Sequence, residues 1–156
     1  MDERTFARLA EEYATRLYTV AYRLLGHRAD AEDAVQRALT KCFAARASYS
    51  PRWAASTWLY RALTNVCVDE LRRRRTRRAA GEADWPPTAV GSSPVERLDL
   101  ERALAAVPTE ARLLLALRYV DGLSYRDLAR IRGITVNTVK SQLARGKAIV
   151  KSQLTR

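Results

Sequence analysis

Apolar residues recur at intervals of three and four along most of the chain. Phe6, Leu9, Tyr13, Leu17, Val20, Ala21 and Leu24 draw one stripe that stops near Gly26, which predicts a helix with a single buried face. A second stripe runs through Ala31, Ala34, Val35, Ala38, Leu39, Cys42 and Phe43, opposite a polar face of Glu32, Asp33, Gln36, Arg37, Thr40 and Lys41. Asp30 is expected to cap that helix, and carboxylates near its positive end stabilise it by about 0.3 to 1 kcal/mol each at most. The stretch Ser48–Trp53 breaks the period, and Pro51 excludes a continuous helix through it. From Ser56 a third helix is predicted through Trp58, Leu59, Leu63, Val66, Cys67 and Leu71 into the arginine run Arg72–Arg78. Trp58, at helical spacing, is read as core.

The pattern breaks most sharply between Gly122 and Lys147. Ser124 is placed to cap a short helix, with Asp127 three residues on and Leu128, Ala129 and Ile131 on one side. Gly133 ends it, since glycine enters a left-handed turn without steric cost. Thr135 then caps a second helix in which Val139 and Leu143 face inward and Asn137, Lys140, Ser141, Gln142 and Arg145 face outward. Two short helices crossing at a glycine turn, the second polar and cationic, predict a helix-turn-helix. Its second helix would enter the major groove, with Asn137, Gln142 and Arg145 reaching base edges and Lys140 and Ser141 on phosphates. Tyr125 is read as either a core contact or part of that surface.

Between the arginine run and this motif the composition changes. AAGEADWPPTAVGSSP holds most of the prolines and has no helical period, so residues 79–94 read as a flexible linker. Helical pattern resumes at Val95, is stopped by Pro108, and restarts over Thr109–Tyr119 with Leu113, Leu114 and Leu117. No strand-like alternation is sustained. The chain is expected to be all-α: two small helical domains, residues 1–78 and 95–156, the second a four-helix domain carrying the helix-turn-helix.

Charge sharpens this picture. The 156 residues carry a formal net charge of +11, which suits a polyanionic partner. The excess lies in Arg37–Arg78 and Ala111–Arg156, whereas Met1–Gln36 is slightly acidic. Nucleic-acid contact should therefore fall on two separate stretches, with the N-terminal part free for another partner. So many arginines cannot all find acids within a small domain, and phosphate is their expected partner. Cys42 and Cys67 lie on apolar faces without metal-ligand spacing and are expected to be reduced core residues in a cytoplasmic protein. No apolar run suggests a signal peptide or membrane insertion. One histidine, no paired nucleophile and base, and no phosphate-cradling glycine loop argue against an enzyme, and no cofactor or metal is expected.

Two separated stretches resemble one family in its own order. DAEDAVQ at Asp30–Gln36, followed by STWLYRALTNVCVDELRRRR at Ser56–Arg75, resembles region 2 of the extracytoplasmic-function (ECF) sigma factors of bacteria. Ala103–Val150 resembles that family's region 4. The resemblance implies a transcription initiation factor that binds bacterial core RNA polymerase and promoter DNA, with an anti-sigma factor as a further partner. It implies that Asp30, Asp33 and Gln36 contact polymerase, and that the loop with Tyr49, Arg52 and Trp53 captures a base flipped from the minus-ten element. An unstacked base needs an aromatic surface and a nearby cation, both of which that loop supplies. Arg61, Asn65 and Arg72 would contact the melted strand. The minus-thirty-five set would be Thr135, Asn137, Lys140, Ser141, Gln142 and Arg145.

Departures from the family pattern bear on details. Arg37 stands where an acidic or small polar residue is common, Gln142 replaces a frequent arginine, and Ala144 and Gly146 replace larger residues. Promoter preference is therefore not carried over. The competing reading is a stand-alone helix-turn-helix regulator, which leaves the acidic helix, aromatic loop and arginine run of the first domain without a task.

Overall fold

Asp2 opens the first helix, α1 (Glu3–Leu25), by accepting a hydrogen bond from the Thr5 N–H at 2.7 Å; the Thr5 side chain, and then that N–H, hold the exposed Asp2 carboxyl below its ordinary pKa. The computed structural model describes residues 1–81 and 94–155, so most of the 79–94 segment, including Trp85, lies outside the described residues. The chain divides into two compact units, Met1–Trp85 and Pro86–Arg156. Among the described residues the regular structure is entirely helical.

In the first unit α1, α2 (Arg28–Ala44) and α3 (Ala55–Ala79) pack mutually. Leu17, Val20, Leu24, Ala34, Leu59 and Leu63 are buried between them, and each buried leucine contributes about 1.5 to 3 kcal/mol over its exposed state. Leu9, Tyr13 and Leu39 are only half-buried. Asp30 does not cap α2. The cap position belongs to His27, whose side chain makes no capping bond, and Asp30 stands inside the first turn. Phe43, expected inside, is 38% exposed because α2 ends one residue later. Its ring packs edge-on against Phe6 at 5.4 Å and lies under the Arg46 guanidinium. Trp58 is half-buried at the rim of this aromatic cluster rather than in the core.

The arginine run is the last part of α3, and one member does not face solvent. Arg74 is 8% exposed. Its guanidinium donates to the Leu25 carbonyl at the end of α1 (2.6 Å) and to the Asp30 carboxylate of α2. Its Nε lies 3.5 Å from Glu70. Arg77 also reaches Glu70, and Arg72 lies 3.8 Å from Asp69. The expectation that these arginines wait for phosphate therefore fails for Arg74, which closes the bundle from within. Cys42 and Cys67 are buried free thiols, and burial pushes them up to about 11 and about 12.

The second unit holds α4 (Pro94–Ala105), α5 (Thr109–Asp121), α6 (Tyr125–Arg132) and α7 (Val136–Leu154), with α7 against the other three. Leu113, Leu114, Leu117, Leu128, Ile131 and Leu143 form its centre. α7 is not short: at 19 residues it runs well past the turn motif, because Leu143 and Gly146 keep it seated on the core. At Gly146 α7 lies tight against α5. A Cβ there would stand 2.8 Å from Leu115 Cδ1 and 3.4 Å from Ala111 Cβ.

Candidate nucleic-acid interface

The first unit presents the loop between α2 and α3. A single 3-10 turn, Arg46–Ser48, leads into it, and the Trp53 N–H closes it on the Ser50 carbonyl at 3.1 Å. Tyr49 braces the loop. Its hydroxyl donates to the Trp53 carbonyl, and its ring centroid lies 5.0 Å from that of Trp58. Trp53 is half-exposed, with the Arg61 guanidinium 5.4 Å from its ring centroid. A cation held over an aromatic ring is a stacking surface for a flat, electron-rich group. Arg52 stands exposed beside it. Asn65 lies one turn beyond Arg61 and Arg72 two turns beyond Asn65, all three exposed within about 40° of one another around α3. The structure thus brings Trp53, Arg61, Asn65 and Arg72 onto one face, while Tyr49 is engaged in holding the loop shut.

On α2 the three acidic-face residues diverge. Asp33 and Gln36 are exposed, and Asp33 meets Arg37 at 3.5 Å across one helical turn. An exposed pair of this kind contributes about 0 to 1 kcal/mol, so Arg37 does not commit Asp33. Asp30 pairs with Arg74 through one carboxylate oxygen while 44% of its side chain stays exposed.

In the second unit the caps are those the sequence predicts. Ser124 Oγ accepts from the Asp127 N–H at 3.1 Å, Gly133 ends α6 at φ 66°, and Thr135 Oγ1 accepts from the Thr138 N–H at 3.1 Å. Two further clamps hold the motif. Arg132, at the end of α6, grips Glu110 of α5 with two bonds of 2.9 and 3.1 Å. Arg118 donates to the Leu123 carbonyl at 2.6 Å and lies over the Tyr125 ring. The sequence reading missed both, since neither spacing is local to one helix.

Asn137, Lys140, Ser141, Ala144, Arg145 and Ala148 are exposed on one side of α7. Gln142 is half-buried, about 140° around the helix from Asn137, and does not share that side. Thr135 is exposed, but its hydroxyl serves as the cap, and Ser141 Oγ donates to the Thr138 carbonyl at 3.1 Å. A phosphate needs donors, so Lys140 and Arg145 are the cations suited to it. Lys147, which the sequence reading passed over, lies seven residues beyond Lys140 on the same flank, 5.6 Å from the Tyr119 ring centroid. A hydrogen bond with Tyr119 raises its pKa above the usual lysine value.

Comparison with known proteins agrees with this layout. Residues 9–77 match the Sigma-70 region 2 family and residues 97–150 the Sigma-70, region 4 family. The ECF RNA polymerase sigma factor SigE of Mycolicibacterium smegmatis is 32% identical over 155 residues, spanning 94% of this chain, which covers 60% of that longer relative. SigM of Mycobacterium tuberculosis is also 32% identical, over 94% of this chain and 76% of its own length. SigW of Bacillus subtilis is 27% identical over 98% and 90%. Among solved structures, the sigma factor RpoE in complex with the anti-sigma factor NepR from Bartonella quintana matches with a TM-score of 0.84 at 24% identity, over 97% of this chain and 98% of that one. CnrH in complex with the cytosolic domain of CnrY matches at 0.78 and 22%, over 99% and 90%. With two family matches in chain order and relatives aligned along nearly its whole length, the chain belongs to the ECF RNA polymerase sigma factors.

Proposed function

We propose that this protein joins core RNA polymerase in the bacterial cytoplasm and directs it to promoters through two DNA-reading units, with no chemistry of its own. The observation that carries this is the pairing of an aromatic loop under a cation in the first unit with a capped, cationic helix-turn-helix in the second. Asp33 and Gln36 supply the polymerase contact from α2, with Asp30 positioning α2 through Arg74. Trp53, with Arg61 over its ring, takes the flipped minus-ten base. Arg52, Asn65 and Arg72 follow the melted strand. Asn137, Lys140 and Arg145 meet the minus-thirty-five element, each unit gaining from the other's attachment once polymerase holds both. The solved relatives in complex with NepR and CnrY support an anti-sigma protein as a further partner.

Titrating the purified protein into bacterial core polymerase, followed by gel filtration at moderate salt, should give a one-to-one complex. Binding of duplex DNA by the protein alone, with no such complex, would overturn the proposal. Asp33→Arg reverses an exposed charge outside the core and should weaken that complex at least tenfold while leaving the melting temperature unchanged. Native affinity in this variant would remove α2 from the contact. At the upstream element, Lys140→Ala or Arg145→Ala should each lower the slope of log K against log salt by about 0.9, the value for one phosphate contact. An unchanged slope would rule out that residue as a phosphate ligand.

A further inference from the structure

The loop from Tyr49 to Ala54 is closed by bonds of its own. The Trp53 N–H donates to the Ser50 carbonyl at 3.1 Å and the Arg52 N–H to Ser50 Oγ at 3.4 Å. These bonds shape the tip, where Pro51 adds a fixed φ, but none of them ties the tip to α3. Tyr49 supplies that tie. Its ring centroid lies 5.0 Å from that of Trp58, in the first turn of α3, and Trp58 in turn meets Phe6 of α1 edge-on at 6.3 Å. The wall behind Tyr49 therefore belongs to the bundle. From this wall the Tyr49 hydroxyl reaches across the loop and donates to the Trp53 carbonyl, so the indole that faces Arg61 at 5.4 Å hangs from a backbone position that Tyr49 fixes.

We propose that Tyr49 is a positioning residue for minus-ten recognition: its hydroxyl holds the Trp53 backbone so that the indole and Arg61 present one fixed surface, and thereby sets how sharply the loop discriminates between bases. The inference rests on the sigma-factor reading, in which Trp53 takes the flipped base. Tyr49 itself does not touch that base. Nor does folding depend on the bond, because Tyr49 and Trp53 are both half-buried and a carbonyl in that setting turns to water when its donor is removed. What the bond supplies is order. A loop already held in its binding shape spares the cost of ordering it at the moment of capture. A tip free to shift offers the cation and the ring in several arrangements, and a flat group of almost any outline then finds one that fits, since every base has a face to stack.

The test uses the full chain with core polymerase and a fork template derived from a genomic fragment selected by the wild-type holoenzyme. This template is duplex upstream and single-stranded from the minus-ten element onward. The captured position is the one at which an abasic site weakens binding by wild type but not by Trp53→Ala, and four templates with each base there give the selectivity. Tyr49→Phe keeps the ring on Trp58 and loses only the hydroxyl. It should bind the preferred base about three- to tenfold more weakly, the worth of one hydrogen bond in an equilibrium constant, and narrow the spread among the four bases by a similar factor. On the abasic template it should equal wild type, and Tyr49→Phe/Trp53→Ala should bind no more weakly than Trp53→Ala alone. Melting temperature and affinity for core polymerase should match wild type. Full selectivity in Tyr49→Phe overturns the proposal. A loss that persists on the abasic template, or that adds to the loss from Trp53→Ala, also overturns it, in favour of a general structural role. Failure of the wild-type holoenzyme to select any fragment instead removes the sigma-factor reading, and a template with no position sensitive through Trp53 removes base capture by this loop; either takes the proposal with it.

Discussion

Arg74→Ala is expected to destabilise the first unit by about 3 to 5 kcal/mol, the cost of removing one partner from a buried ion cluster. The guanidinium has three acceptors on three different elements: the Leu25 carbonyl, the Asp30 carboxylate and Glu70. Alanine leaves that buried carbonyl unpaired and leaves the 16%-exposed Glu70 side chain with Arg77 alone. For a unit of this size the melting temperature should fall by about 12 °C or more. Arg74→Lys keeps the charge but has no planar fork to span three acceptors, so it should recover only part of the loss. Thermal and urea unfolding of the full chain measure both variants. An Arg74→Ala protein within about 0.5 kcal/mol of wild type would show that the cluster only breaks even against its desolvation.

The second large effect concerns Gly146. Gly146→Leu forces a branched side chain into the gap between α7 and α5, where even a Cβ would stand 2.8 Å from Leu115 Cδ1. Overpacking of this kind costs about 1 to 3 kcal/mol, and α7 must tilt to relieve it, which also displaces Asn137, Lys140 and Arg145. Gly146→Ala is a different case. The atom met is the end of a flexible leucine, and alanine gains about 0.5 to 1 kcal/mol in a helix interior, so that variant should stay close to wild type. Melting curves and minus-thirty-five duplex binding report the two consequences separately. A stable Gly146→Leu protein with native DNA affinity would mean that α5 yields without moving the recognition helix.

The helix-turn-helix was legible in the sequence because its determinants are local. Ser124 reaches Asp127, Thr135 reaches Thr138, and Gly133 takes its own turn. What escaped depends on how helices meet. Nothing in a run of arginines marks Arg74 as the one that turns inward, since that follows from the register of α3 against α1 and α2. Asp30 looked like a cap because it opens an apolar stripe, but α2 begins earlier and the carboxylate serves Arg74. Phe43 fits the inward spacing and still reaches the surface, because burial also needs a neighbour beyond the helix end. In the candidate interface, Trp53 and Arg61 were named from chemistry and meet in space. Gln142 was named as an outward residue between Val139 and Leu143 but lies about 140° around α7 from Asn137 and is half-buried.

The Arg74 cluster also sets an order of events during synthesis. Its partners lie 49 and 44 residues earlier in the chain, so α1 and α2 leave the ribosome well before the residue that ties them together. Until then the Leu25 carbonyl and Asp30 remain hydrated, and the pair of helices is a hairpin without its third wall. Domains fold as units, N-terminal first, as the chain emerges. The first unit of this protein therefore closes only after Arg74 has itself emerged, and a chain cut just before Arg74 would retain most of the apolar stripes but lack the latch.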